Sequence, residues 1–253
     1  MKLGHYQFKP TLVPRLAMVA LLVLFVSLGN WQLRRAQFKQ TEQDKMALNR
    51  KAPVVAITPS DKNLKAMIGR KTITPGRFDG RYEAALAYHK YEGRPGFLVL
   101  TPFRIQGSET RILVLRGWIE QTGNFNTVPK IPASEKGLIK LHGIVDRIPS
   151  VGKKSGKPDG RFANQWPKLL IYADHDWYEK VLQKPFLPYA VKQTFHNSPG
   201  LITDWSAFAS SGERMPPEKH RGYAFQWFSL AIVLLILYFV LNTRSTRRAD
   251  ENE

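Results

Sequence analysis

Apolar positions fall along this chain in three regimes: an uncharged run near the N-terminus, a long middle in which short apolar stretches alternate with turn residues, and a second uncharged run near the C-terminus. From Gly222 to Asn242 no residue is charged, and Phe228 to Leu241 is almost wholly aliphatic or aromatic. A helix of that length crosses a bilayer core of roughly 30 Å at about 1.5 Å per residue. Tyr223, Phe225, Trp227 and Phe228 at one end, and Tyr238 and Phe239 at the other, suit the two interfaces. The first run, Leu16 to Leu28, is 13 residues without charge or breaker, which is also the length of a signal-peptide core. Extended to Leu12 and Trp31 it reaches about 20 residues, with Arg15 able to snorkel to the interface. Ser27-Leu28-Gly29 could serve as a small-residue cleavage site, but retention is the favoured reading.

Between the runs, Arg34 to Leu48 lacks Gly and Pro and is rich in helix formers, so it predicts a helix leaving the membrane. The period then changes. Thr72–Phe78, Glu83–Tyr91, Phe97–Ile105, Arg111–Ile119, Leu138–Ile148, Leu169–Ala173 and Tyr189–Phe195 are β-branched and aromatic stretches bounded by Gly, Pro, Asn or Ser, and predict strands. Gln106-Gly-Ser-Glu109 joins two of them as a four-residue hairpin turn. Asp174 predicts the N-cap of a short helix through Leu182, and Ser150 to Pro158 reads as a Gly/Lys loop. The expected fold is an α+β membrane protein, with two transmembrane helices flanking a mainly antiparallel β extramembrane domain, as a compact sheet or partial barrel. The expected order is a tail to residue 11, a span over 12–31, the β-rich domain over 32–221, a second span over 222–241 and a tail over 242–253.

Charge sharpens this outline. The chain carries +18, and residues 32–221 alone hold 32 Lys plus Arg against 17 Asp plus Glu. Such a domain is drawn to anionic lipid or to an acidic partner. Its cations are dispersed and no nucleic-acid recognition motif accompanies them, so nucleic acid is set aside. Arg244, Arg247 and Arg248 favour both termini on the cytoplasmic side, leaving the large loop outside. With no cysteine, disulfides, thiolate metal sites, cysteine catalysis and covalent haem attachment are excluded. The six histidines form no metal-ligand pair at helical or turn spacing, and no Walker or Gly-x-Ser-x-Gly motif occurs. An enzyme acting on haem or quinone would need a clustered acid–base pair that the chain lacks.

One constellation stands apart. If the second apolar helix begins near Pro217, then His220, Tyr223, Ala224 and Trp227 recur at i, i+3, i+4 and i+7 on one face. A ligand-capable imidazole then overlooks a flat apolar wall. The helix N-terminus favours its neutral form, which axial ligation of haem iron requires. Because both spans flank one loop, Trp31 and Gln32 lie level with that face, and a pocket between the helices follows from topology. Arg34, Arg35, Lys219 or Arg221 could meet the propionates. The plainer reading has the tryptophans as interfacial anchors and His220 as a surface residue.

Leu28-Gly-Asn-Trp-Gln-Leu-Arg-Arg35 after the first span, Val114-Leu-Arg-Gly-Trp-Ile119 in mid-chain and His220-x-x-Tyr-Ala-x-Gln-Trp-Phe228 opening the second span together resemble the Surfeit locus family of cytochrome c oxidase assembly factors. The resemblance covers nearly the whole chain, with Leu115 where many members carry Asn. It implies a non-enzymatic factor of the cell inner membrane, with an uncleaved first span and a periplasmic domain. It also implies a large subunit of a haem-copper terminal oxidase as partner, with haem a synthase as a further partner, and non-covalently bound haem a with His220 as the iron ligand. The other reading, from a different class, is a cofactor-free scaffold for an oxidase intermediate.

Overall fold

The computed structural model describes residues 2–3, 6–8, 11–123, 127–149, 158, 165–194, 200–206, 208 and 215–245. The loop expected over Ser150 to Pro158 lies outside them except for Pro158. In chain order the elements are β1 (Lys2–Leu3), β2 (Tyr6–Phe8), α1 (Leu12–Lys51), α2 (Leu64–Met67), β3 (Lys71–Phe78), a 3-10 turn (Gly80–Tyr82), β4 (Ala84–Tyr91), β5 (Arg94–Ile105), β6 (Arg111–Glu120), β7 (Ile139–Asp146), β8 (Lys168–Leu170), α3 (His175–Leu182), β9 (Phe186–Gln193), α4 (Pro217–Asn242) and β10 (Thr243–Ser245). They form two compact units, Met1–Gln43 with Met215–Glu253, and Asp44–Arg214.

The first unit is a helix pair. The apolar N-terminal run and the polar helix predicted after it are one continuous helix, α1, because nothing between Asn30 and Lys51 breaks the hydrogen-bond ladder. Its last turn carries Arg50 and Lys51, which suit the negative end of the helix. At the start of α4, Pro217 lies in the first turn with Glu218 beside it, as a helix start prefers. Both helices are long and apolar enough to cross a membrane. Beyond them β10 pairs antiparallel with β2, so the two tails meet.

The second unit is a barrel. Around it the strand order is β3-β7-β9-β6-β5, and β5 pairs back onto β3 to close the ring. The 12-residue β5 can do this because one of its edges is shared: its first half pairs with β4 and its last residues with β3. The expectation of antiparallel pairing needs correction at two places. β6 and β9 run parallel, and so do β4 and β8. Residues between β6 and β9, which include β7, β8 and α3, form the crossover that a parallel pair requires. The predicted hairpin is present, with Arg104 opposite Arg111 across its turn. Asp174 caps α3, accepting from the Asp176 N–H at 3.0 Å.

Strand β6 is buried on both faces, which alternation alone does not reveal. Ile112 and Val114 pack with Phe103, Leu141, Tyr189 and Val191, whereas Leu113 and Leu115 pack with Leu98, Tyr178 and Phe186. The next three residues anchor neighbouring chain. Arg116 is fully buried and donates to Glu83 Oε1 at 2.8 Å and to the carbonyls of Pro132 and Ala133 at 2.9 and 3.0 Å. A side chain on Gly117 would sit 2.8 Å from Leu201 Cβ. Trp118 exchanges backbone hydrogen bonds with Ile202, and its indole donates to the His89 carbonyl at 3.0 Å. The Arg-Gly-Trp string is therefore a structural clasp.

His89 lies beside the register shift in β4, where desolvation lowers its pKa from 6.5 to about 4. Above pH 6.5 the ring is neutral folded or unfolded. Between pH 6.5 and about 4 only the unfolded chain takes up the proton, so stability falls as pH falls, by up to about 3 kcal/mol at about 1.4 kcal/mol per pH unit. Urea unfolding of the full chain at pH 7.5 and 5 should show about 2 kcal/mol of this loss, and His89→Gln should reduce it. Equal pH slopes for the two proteins would remove His89 as a source.

Candidate functional site

The site is built by a seven-residue pattern. On α1 the buried or half-buried positions include Met18, Leu22, Phe25, Gly29, Gln32, Ala36 and Lys39, alternately four and three residues apart, with Leu28 and Gln40 beside them. On α4 they include Pro217, His220, Ala224, Trp227, Ala231, Leu234 and Tyr238, alternately three and four apart, with Phe228, Ser229 and Leu235 beside them. This spacing makes a straight seam between two closely packed helices. Gly29, Ala36, Ala224 and Ala231 leave so little side chain in the seam that the backbones approach closely. A Cβ on Gly29 would lie 2.7 Å from the Phe228 ring. The helices run antiparallel: Phe25 meets Trp227 at 5.7 Å between ring centroids, and Gln32 meets His220.

His220 is 5% exposed, and its Nδ1 lies 2.7 Å from Gln32 Oε1. An amide oxygen only accepts, so with Gln32 Oε1 as its partner the neutral ring donates from Nδ1 and keeps its lone pair on Nε2. Eight residues further along α1, Gln40 Oε1 accepts from Arg221, the residue after His220, at 3.2 Å. Arg35 and Lys39 add positive potential at the imidazole.

The structure brings together only some of the residues singled out by sequence. His220, Gln32 and Trp227 lie in the seam. Tyr223, expected on the same face, is 43% exposed, and Trp31 is 53% exposed. The 3-4 alternation takes the seam from His220 to Ala224 and leaves Tyr223 at its border. Arg34, Arg35 and Arg221 are exposed, with the Arg35 guanidinium over the Phe38 ring at 5.8 Å. Phe25, Gly29, Gln40 and Phe228 belong to the arrangement but were not foreseen. The recurrence of small residues at Gly29 and Ala36, and again at Ala224 and Ala231, carries the signal for them.

These residues fit a haem group in one respect: a buried neutral imidazole with its Nδ1–H engaged is the donor that an axial bond needs, and exposed arginines are available for carboxylates. The fit is confined to the border of the pair, since a porphyrin cannot enter a seam in which Gly29 touches Phe228. Elsewhere, a groove of about 560 Å³ opens beside Gly76, Arg77, Arg104 and the β5–β6 turn, but no histidine lines it, so it offers no such ligand. Asp174, His175 and Asp176 bring their ligand atoms within 4.8 Å of one another at the start of α3, where the Asp174 cap accounts for one carboxylate.

Residues 19–232 match the family described as the SURF1 family. No curated protein matches the chain.

Proposed function

The chain belongs to the SURF1 family, a family of oxidase assembly factors rather than enzymes, and from that premise we propose that it is a membrane-anchored factor that binds haem a and assists its insertion or retention in the large subunit of a haem-copper terminal oxidase. The observation that carries this reading is His220, an imidazole buried between the two apolar helices with one nitrogen bonded and the other left as a ligand. His220 would bind the iron through Nε2. Trp31, Tyr223 and Trp227, with Gln32 behind the imidazole, would form the surroundings, and Arg34, Arg35 and Arg221 would receive the propionates. Haem a, when bound, supplies the metalloporphyrin that the oxidase needs. With His220 as the one protein ligand, release would require only one protein–iron bond to break.

In this reading α1 is retained, because Gly29, at the edge of the candidate cleavage site, is itself a seam residue. The chain then spans the cell inner membrane twice, with both tails cytoplasmic and the basic barrel in the periplasm. There the barrel meets the oxidase and anionic lipid, with haem a synthase as a second partner.

Protein purified from haem-a-producing cells should show a visible absorption spectrum, and His220→Ala should abolish it. Unchanged pigment stoichiometry in that variant overturns the haem assignment. A second reading, a cofactor-free scaffold for an oxidase intermediate, is favoured by the tight Gly29–Phe228 contact. It requires the wild-type protein to be colourless.

A further inference from the structure

We propose that Gln32 is a positioning residue that fixes the tautomer and rotation of His220, and that it is not itself a contact to the cofactor. The inference rests on the haem reading above for its purpose, but on the helix seam for its geometry. The two side chains lie 188 residues apart in the chain and meet at 2.7 Å across the seam. The imidazole is almost wholly enclosed, so water does not compete for Nδ1. Its neighbours along the seam, Ala224 on its own helix and Gly29 and Ala36 on α1, are small and apolar. A neutral imidazole with both nitrogens free exchanges tautomers; one whose Nδ1–H is held by a carbonyl oxygen presents Nε2 alone.

The choice of an amide over a carboxylate also matters. A carboxylate behind the ring would raise the basicity of Nε2 and strengthen its bond to a metal, and it would place a charge at the edge of an apolar span. Gln32 orients the ring with no added charge and with a smaller gain in basicity than a carboxylate would give. That suits a ligand that must release what it holds.

The test uses the full chain in lipid nanodiscs, labelled with 15N-histidine and prepared free of haem, the His220 signals being those missing from His220→Ala. The expected wild-type signals are a protonated Nδ1 and a bare Nε2. Gln32→Leu, which keeps the seam apolar, should shift His220 toward the opposite tautomer or a mixture, while Gln32→Glu, which keeps an acceptor, should preserve it. Haem a titrated into the same samples should bind about 10- to 100-fold more weakly to Gln32→Leu and at least as tightly to Gln32→Glu. A proton on Nε2 in the wild type, an unshifted tautomer in Gln32→Leu, or equal haem affinity in wild type and Gln32→Leu while His220→Ala loses it, would each overturn the positioning role. If the tautomers behave as expected but His220→Ala still binds haem as tightly as wild type, the haem reading falls and the tautomer assignment stands.

Discussion

Arg116→Ala should destabilise the barrel unit by about 3–5 kcal/mol, the usual cost of leaving half of a buried ion pair behind. Arg116 is fully buried, and its partner Glu83 is only 7% exposed. Burial already raises the Glu83 pKa, and Arg116 is the main influence lowering it. Removing the guanidinium leaves burial far less opposed, so the Glu83 pKa climbs further. For an acid whose folded pKa is raised, stability is present at low pH and lost as pH rises through the folded pKa. The variant should therefore recover part of its stability on acidification. The double variant Arg116→Met with Glu83→Leu should recover more, since it removes both charges, although the Pro132 and Ala133 carbonyls still lose their donor. Urea unfolding of the full chain in detergent, followed by tryptophan fluorescence at two pH values, measures all three. A loss below about 1 kcal/mol in Arg116→Ala would mean that the pair contributes no more than an exposed one.

Gly76→Val should open the barrel at its closing seam. Gly76 stands opposite Ile105 where β3 meets the end of β5, and a Cβ there would lie 2.3 Å from the Arg104 carbonyl oxygen and 2.5 Å from the Phe103 ring. The ring can turn. The carbonyl belongs to the strand pair itself, so relief requires β3 and β5 to separate. Overpacking of this kind costs about 1–3 kcal/mol, and more where backbone must move. The diagnostic readout is amide hydrogen exchange. Gly76 to Phe78 and Phe103 to Ile105 should lose protection, while the β5–β6 hairpin beyond them keeps it. Uniform loss throughout the unit would instead indicate global destabilisation, and wild-type protection at the seam would show that the ring alone yields.

Much of the barrel was legible as local pattern. Alternation and turn residues placed all seven predicted strands, the Gln106–Glu109 turn and the capped start of α3. Direction was not legible, because side-chain alternation is the same in a strand whichever way its neighbour runs. Hence the parallel β6–β9 and β4–β8 pairs were missed. The closing β3–β5 contact was missed for a related reason: it involves three residues of a strand whose remaining edge is already paired. In the helix pair, a 3.6-residue period drew Tyr223 onto the His220 face. The observed seam has the seven-residue repeat of two helices in mutual contact, and passes through Ala224.

By itself the chain's order of residues determined the two apolar helices, the strand segments and the basic character of what lies between them, since each depends on neighbours a few positions apart. Only the tertiary structure decided that β5 closes a barrel, that Arg116 is a buried anchor, and that the imidazole of His220 has Gln32 as its partner. Each of those depends on the free energy of burying groups far apart in the chain against one another, and that quantity has no local period to read.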